Sequence, residues 1–160
     1  MSVNKYQPHI FVLPEDDANR QLANGFLLVV STRQIQVLSE AGGWTHVRDR
    51  FNSDHVVELE RYDNRFMVLL IDFDNDTNRL PNLKAAIPTH LSDRVFVLGV
   101  LTEPEGLRTA GLGSYETIGK AMAEDCRGGT QHNIWEHSLL EHNKGELTRL
   151  RHAVDFLFHP

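Results

Sequence analysis

Four short apolar runs, separated by stretches with helical periodicity, most constrain the fold of this chain. They are HIFVL at 9–13, QIQVL at 34–38, VLLID at 68–72 and VFVLGVL at 95–101. Three of them are apolar on successive residues, which is typical of strands buried on both faces, whereas QIQVL is the weaker candidate because it alternates with glutamine. Strands that alternate with helices specify a parallel sheet covered by helices. The sequence therefore predicts an α/β fold with a mostly parallel sheet of about four strands.

The helical stretches between these runs carry apolar residues three or four positions apart. The first stripe comprises Ala18, Leu22 and Phe26, and the second comprises Trp44, Val47 and Phe51 after a Gly-Gly break. Residues 54–62 are assigned to a helix because they precede a strand in an alternating series. A further helix is predicted over 80–91, with Thr77 or Asn78 as its cap.

After residue 101 the alternation stops and helical patterns follow one another. Ser114 can cap a helix that Gly128-Gly129 is expected to end. A short helix is expected over 134–140, and a last helix carries the apolar stripe that runs from Leu147 to Phe158. We therefore expect an α/β core at 1–110. A helical C-terminal extension at 111–160 is expected to pack on the same domain.

Charge and cysteine content narrow the classes of function. The net charge of −6 argues against a broad basic face for nucleic acid, although four arginines near the predicted strand ends could form a local basic strip: Arg20, Arg79, Arg94 and Arg108. A single cysteine, Cys126, excludes an internal disulfide. The first ten residues lack the apolar core of a signal peptide, and no apolar run approaches the ~20 residues of a membrane helix. We expect a cytoplasmic protein without membrane association.

Two acidic clusters stand where predicted strands end. One follows the first strand and the other begins at the last residue of the third. Because such ends meet at one edge of an open parallel sheet, the carboxylates are expected to converge and to repel one another unless a cation compensates them. Hard oxygen ligands suit Mg²⁺ or Mn²⁺. The predicted metal ligands are Glu15, Asp16, Asp72, Asp74 and Asp76. The alternative is that the second cluster only forms a turn and caps the next helix.

A glutamate after the first strand and an Asp-x-Asp after the third resemble the TOPRIM domain of topoisomerases, bacterial primases and nucleases related to the overcoming-lysogenization-defect family. The resemblance extends from about residue 9 to residue 102, and it implies that the α/β core at 1–110 is TOPRIM/Rossmann-like. It implies that Glu15, Asp72 and Asp74 are catalytic and hold Mg²⁺, with Asp76 extending the acidic motif. The implied activity is phosphodiester cleavage or related phosphotransfer on nucleic acid, as in a metal-dependent, nuclease-like hydrolase.

Two other interpretations stay open. TOPRIM domains usually have glycine directly after the glutamate, where this chain has Asp16, so a catalytically inactive, TOPRIM-like binding module is one alternative. A receiver-like phosphoacceptor domain is the other, with Asp72 phosphorylated and Thr102 as the switch residue. A receiver needs a lysine after a fifth strand, and Lys120 lies within a helical pattern. Because an acidic domain attracts phosphate backbones weakly, a protein partner or homo-oligomer is expected to help hold nucleic acid.

Overall fold

A computed structural model describes residues 3–128 and 131–160. Its sheet has four strands in the order β2-β1-β3-β4, and every neighbouring pair is parallel. The strands are β1 His9–Pro14, β2 Ile35–Val37, β3 Arg65–Leu70 and β4 Val95–Leu98. Each strand overlaps one of the four apolar runs. The predicted α/β fold with a parallel, four-stranded sheet is confirmed.

Helices connect and cover the strands. The α-helices of the described residues are α1 Asp17–Leu27, α2 Trp44–Arg50, α3 Val56–Arg61, α4 Arg79–Ala85, α5 Pro104–Thr109, α6 Tyr115–Cys126 and α7 Lys144–Ala153. A π-helical turn, Phe51–His55, joins α2 to α3, and 3-10 turns lie at Thr89–Arg94, Ile134–Glu136, Glu141–Asn143 and Asp155–Leu157. Within these residues, no helix combines the length and apolar character needed to cross a membrane.

Three predicted helices are shorter in the structure. The last one, whose apolar stripe was expected to run to Phe158, ends at Ala153 and is followed by a 3-10 turn. The helix predicted over 80–91 ends at Ala85, because Pro88 disfavours helical geometry at the residue before it, and a 3-10 turn follows. The helix predicted over 134–140 is wrong, since only a 3-10 turn, Ile134–Glu136, forms there. The other helical predictions each correspond to an α-helix. Gly129, expected to help end α6, lies outside the described residues.

Both faces of the sheet are covered by apolar side chains. Leu13 and Leu69 point to the face where Val47 and the residues of α3 and α4 pack. Val12 and Val68 point to the opposite face, against α1 and α7. This alternation follows from the two-residue period of a strand. Burial on both faces leaves the carboxyl ends of the strands as the place where polar side chains emerge.

Two glycines let α1 and α6 cross at close range. A Cβ atom on Gly119 would lie 2.0 Å from the carbonyl oxygen of Leu22, and one on Gly25 would lie 2.2 Å from that of Glu116. Neither position can accept a side chain without moving backbone. The crossing fixes α6 against the helix that begins at the acidic end of β1.

The outer edge of β4 is closed by backbone and side-chain groups. Gly99 N donates to Asn143 Oδ1 at 3.1 Å, and Asn143 Nδ2 donates to Gly99 O at 2.9 Å. Leu101 N donates to Leu139 O at 2.8 Å. A receiver domain needs a fifth strand at this edge, but here Leu139 and Asn143 already contact it. Lys120, the candidate receiver lysine, lies in α6. These contacts argue against the receiver interpretation.

The N-cap of α6 allows a direct test of the helix boundary. Ser114 Oγ accepts a hydrogen bond from Thr117 N at 3.2 Å, as its cap position predicts. We expect Ser114→Ala to lower the free energy of unfolding by about 1 kcal/mol, because one N–H at the helix start loses its acceptor. Urea unfolding measures the difference. Ser114→Asp keeps an acceptor and should retain wild-type stability, and equal losses in both variants would contradict the capping role.

Candidate functional site

The carboxyl ends of the two central strands bring Glu15 and Asp72 together. Glu15 directly follows β1, and its Oε2 atom accepts a hydrogen bond from Asp72 N at 2.6 Å. Asp72 lies just beyond β3, where Ile71 N and Phe73 N still donate to carbonyl groups of the chain that continues β4. The side chain of Asp72 is therefore fixed between neighbouring chain segments, and the residue is only 7% exposed. The predicted convergence of the two strand ends is present for this pair.

The turn after β1 is held by a pair of glycines. Gly42 N donates to Glu15 O at 2.8 Å, and Gly43 N donates to the same oxygen at 3.3 Å. Both glycines have positive φ, at 94° and 148°, which few other residues adopt. The Gly-Gly break read from the sequence thus anchors the start of α2 beside the acidic edge.

Asn19 links the two acidic clusters. Asp16 is the N-cap of α1, and its Oδ1 atom accepts from both Asn19 N and Asn19 Nδ2 at 2.9 Å. Asn19 Nδ2 also donates to Asp72 Oδ1 at 2.8 Å. One fully buried amide therefore holds the carboxylates of Asp16 and Asp72 beside each other. Asp16, predicted as a metal ligand, also has a structural role as a helix cap.

Crowding and burial change the acidity of this cluster. Burial, and then the charges of Asp16 and Glu15, raise the pKa of Asp72 to about 8 against the opposing hydrogen bond from Asn19. Burial also raises the pKa of Glu15, with added repulsion from Asp16 and Asp74. Both carboxyl groups therefore hold a proton more readily than an exposed carboxyl group of the same type does. A nearby positive charge would therefore stabilise the ionised forms of these carboxyl groups.

Arg79 provides one counter-charge. Its Nη1 atom donates to Asp72 O at 2.6 Å and lies 2.9 Å from Asp74 Oδ2. Its guanidinium carbon lies 5.3 Å from the ring centroid of Trp44, in cation–π range. Its buried Nε atom has no hydrogen-bond partner. Arg79 therefore fixes Asp74 at the rim of the site, where the Asp74 side chain is 53% exposed.

The loop after Asp72 turns sharply. Asp74 and Asn75 both have left-handed backbone geometry, with φ values of 48° and 58°, and Asp74 N donates to Thr102 O at 3.2 Å. Asp76 is exposed, and its Oδ1 atom accepts from Asn78 N at 2.9 Å. Asn78 precedes α4 without a side-chain cap bond. For Asp76, the turn interpretation describes the observed contact, and the proposed role as a metal ligand stays a prediction.

The acidic edge extends to the start of α5. Glu103 occupies the N-cap position and Glu105 lies in the first turn. The charge of Glu105 is the largest cause that raises the pKa of Glu103, and Asp74 and Asp16 add to it. The carboxylates after β1, β3 and β4 thus share one electrostatic environment.

The other arginines of the predicted basic strip have separate partners. Arg94 donates to the carbonyl oxygens of Leu59, Tyr62 and Arg65, at the amino end of β3. Arg20 pairs with Asp17 and Glu40, and Arg108 lies over the ring of Tyr115. Arg94 is therefore at the opposite end of β3 from the acidic edge, so the four arginines do not form one strip there.

The donor atoms at the edge suit a hard divalent cation. Within the parts of the chain that the structure describes, no three His, Cys, Asp or Glu side chains are grouped so as to enclose a metal ion. Asn19 and Arg79 instead lie against the carboxylates. Mg²⁺ usually keeps several waters and needs few protein ligands, and the buried Asn19 Oδ1 atom lacks a partner. Carboxylate and amide oxygens of this kind fit Mg²⁺ or Mn²⁺.

Comparisons with known proteins provide no relative from which residue roles could be transferred. No protein-family model, no curated protein and no solved structure matches the chain. Residue roles at the acidic edge therefore rest on geometry and chemistry, and the TOPRIM resemblance stays a prediction from the sequence.

Proposed function

We propose that this protein binds Mg²⁺ or Mn²⁺ through Glu15, Asp72 and Asp74 and cleaves phosphodiester bonds, or carries out a related phosphotransfer, on nucleic acid. The observation that carries the proposal is the contact between Glu15 and Asp72 at the ends of the two central strands. Burial raises the pKa of Asp72 to about 8, and the charges of Asp16 and Glu15 add to this effect. A divalent cation would relieve this repulsion, which is a reason to place carboxylates there.

Each carboxylate has a distinct environment and hence a distinct proposed role. Asp72 is the most buried and serves as the central ligand. Glu15 serves as a ligand or general base, because its raised pKa favours accepting a proton. Asp74 lies at the rim and completes the ligand set. When bound, the cation supplies charge stabilisation at a phosphoryl oxygen and a more acidic water.

Arg79 suits the binding of a phosphate oxygen at the rim. Its contact with Trp44 restricts the guanidinium, so less side-chain entropy is lost when an anion binds. Its pairing with Asp74 can be exchanged once a cation neutralises that carboxylate. A protein partner or a second copy of the chain would provide further contacts, because the net charge of −6 opposes tight binding to nucleic acid.

The activity is tested with purified protein, single- and double-stranded DNA and RNA, and Mg²⁺ or Mn²⁺. We expect metal-dependent cleavage that Asp72→Ala and Asp74→Ala each reduce by at least about 100-fold, because each removes a ligand. Asp93→Ala is the control, since this exposed carboxylate lies in the 3-10 turn before β4, at the end of the sheet opposite the acidic edge. Cleavage that persists in the Asp72 variant would belong to another site or to a contaminant.

Metal binding can be tested without a substrate. A cation that binds only the folded state, at a concentration a hundredfold above its Kd, adds about 2.7 kcal/mol to the free energy of unfolding. We therefore expect millimolar Mn²⁺ to raise the melting temperature by about 5–10 °C. Asp72→Asn should lose most of this response, and Asp93→Asn, which changes an exposed carboxylate away from the acidic edge, should keep it. If Mn²⁺ does not shift the wild-type melting temperature, the acidic edge is structural and the enzyme proposal should be abandoned in favour of the binding module.

A further inference from the structure

Asn19 is a polar residue on an otherwise apolar surface. It shares the buried face of α1 with Leu22 and Ala23, and it is fully buried. Its Nδ2 atom donates to Asp16 Oδ1 at 2.9 Å and to Asp72 Oδ1 at 2.8 Å. Its Oδ1 atom is buried and has no hydrogen-bond partner. The amide nitrogen of Asn19 thus has two hydrogen-bond acceptors, whereas its amide oxygen has no donor.

The orientation of the Asn19 amide follows from the negative charge of the carboxylates beside it. The reverse orientation would place Oδ1 against the oxygens of Asp16 and Asp72 and would remove two hydrogen bonds. A buried amide oxygen without a partner is unfavourable, so the contacts of Nδ2 must outweigh that loss. A cation among these carboxylates would reverse the preference, since an NH₂ group faces a cation unfavourably and an amide oxygen is a ligand for it.

We propose that Asn19 Oδ1 is a neutral ligand for the divalent cation, an inference that rests on the proposed function. In the cation-free protein, the NH₂ group of Asn19 takes the place of the cation between Asp16 and Asp72. In the loaded protein, the amide oxygen faces the cation. A neutral ligand adds a hard oxygen to the site without adding a fourth negative charge to the proposed ligands Glu15, Asp72 and Asp74.

A purely structural role makes a different prediction from a ligand role. If Asn19 only holds the carboxylates through its NH₂ group, then Asn19→Asp is the worse variant, because it replaces the donor with a further charge. If Asn19 Oδ1 binds the cation, Asn19→Asp retains an oxygen ligand, whereas Asn19→Leu fills a similar volume without one. The ranking of cation affinity in the two variants is therefore opposite under the two roles.

Calorimetric titration of Mn²⁺ into the full-length chain measures this ranking. We expect Asn19→Leu to weaken binding at least tenfold and Asn19→Asp to bind as tightly as wild type or tighter. Asn75→Asp controls for added charge, because Asn75 is an exposed residue of the neighbouring loop. Equal Mn²⁺ affinity in Asn19→Leu and wild type would overturn the ligand role alone. A wild-type protein that does not bind Mn²⁺ would overturn the proposed function as well.

A measurement on the unmodified side chain covers the case in which Asn19→Leu does not fold. The side-chain NH₂ resonances of ¹⁵N-labelled wild-type protein are followed during titration with Mg²⁺. We expect the Asn19 pair to shift as it leaves the two carboxylates, with the same apparent Kd as a calorimetric titration with Mg²⁺. Asn19 resonances that stay unchanged at saturating Mg²⁺, while other resonances report binding, would overturn the proposal.

Discussion

Asp72→Asn is expected to make the cation-free protein more stable than wild type at pH 8–9, with the two proteins nearly equal at pH 4. Burial, with the charges of Asp16 and Glu15, raises the pKa of Asp72 to about 8 in the folded protein. The ordinary aspartate pKa is about 3.9. Between these values the folded state holds a proton that the unfolded chain has released, so stability falls as the pH rises. The limiting slope for one proton is about 1.4 kcal/mol per pH unit.

Asparagine removes this titration and keeps an oxygen for the hydrogen bond from Asn19 Nδ2. Urea unfolding in the presence of EDTA, at pH steps from 4 to 9, measures the difference. Asp76→Asn is the control and should follow the wild-type profile, because Asp76 is exposed. Burial also raises the pKa of Glu15, so all three proteins should still lose some stability as the pH rises. If the free energy of unfolding changes equally with pH in wild type and Asp72→Asn, the raised pKa of Asp72 is contradicted.

The strands could be predicted because their sequences permit few alternatives. Segments such as those around Val12, Val68 and Val97 are apolar on both faces, and only a sheet covered on both sides buries them. The ends of the helices were less predictable. The pattern over 80–91 retains helical spacing beyond Ala85, and the effect of Pro88 on the preceding turn decides where the helix stops.

The contact of Glu15 with Asp72 could be predicted from the rule that parallel strands end at one edge. The roles of Asn19 and Arg79 could not, because they depend on hydrogen bonds to Asp72 across the fold. Asn19 did leave a signal, since it lies three and four positions before Leu22 and Ala23 on the buried stripe of α1. A polar residue on such a stripe indicates a buried polar partner.

Glu146 is a second buried carboxylate that the sequence did not identify, and its environment is the reverse of that of Asp72. It lies in α7, is 6% exposed, and its Oε2 atom accepts from Val97 N on the outer edge of β4 at 2.8 Å. Its Oε1 atom contacts Lys84 Nζ at 2.5 Å and Arg149 Nη1 at 2.7 Å. One carboxylate thus satisfies a strand edge and two cations.

Glu146→Leu is expected to lower the free energy of unfolding by about 3 kcal/mol. The variant leaves Val97 N buried without an acceptor and removes the partner of Lys84 and Arg149. Glu146→Gln keeps an acceptor for Val97 N, and its cost should be about 1 kcal/mol, because the two cations are partly exposed and can turn to solvent. Urea unfolding at pH 7 compares the two. Equal losses would mean that the hydrogen bond to the strand edge contributes nothing.

The pH dependence distinguishes the buried carboxylates of Asp72 and Glu146. Burial acts to raise the pKa of Glu146, but Lys84, Val97 N and Arg149 outweigh it and hold the pKa below the ordinary glutamate value. Its contribution is therefore complete above the ordinary pKa and is lost as the pH falls through the lowered one. Glu146→Gln should reduce the loss of stability in acid, whereas Asp72→Asn should reduce the loss in base. The ionised Glu146 side chain stabilises the fold, whereas the ionised Asp72 side chain destabilises it. Opposite pH effects of Glu146→Gln and Asp72→Asn would therefore locate the unfavourable charge at the candidate site.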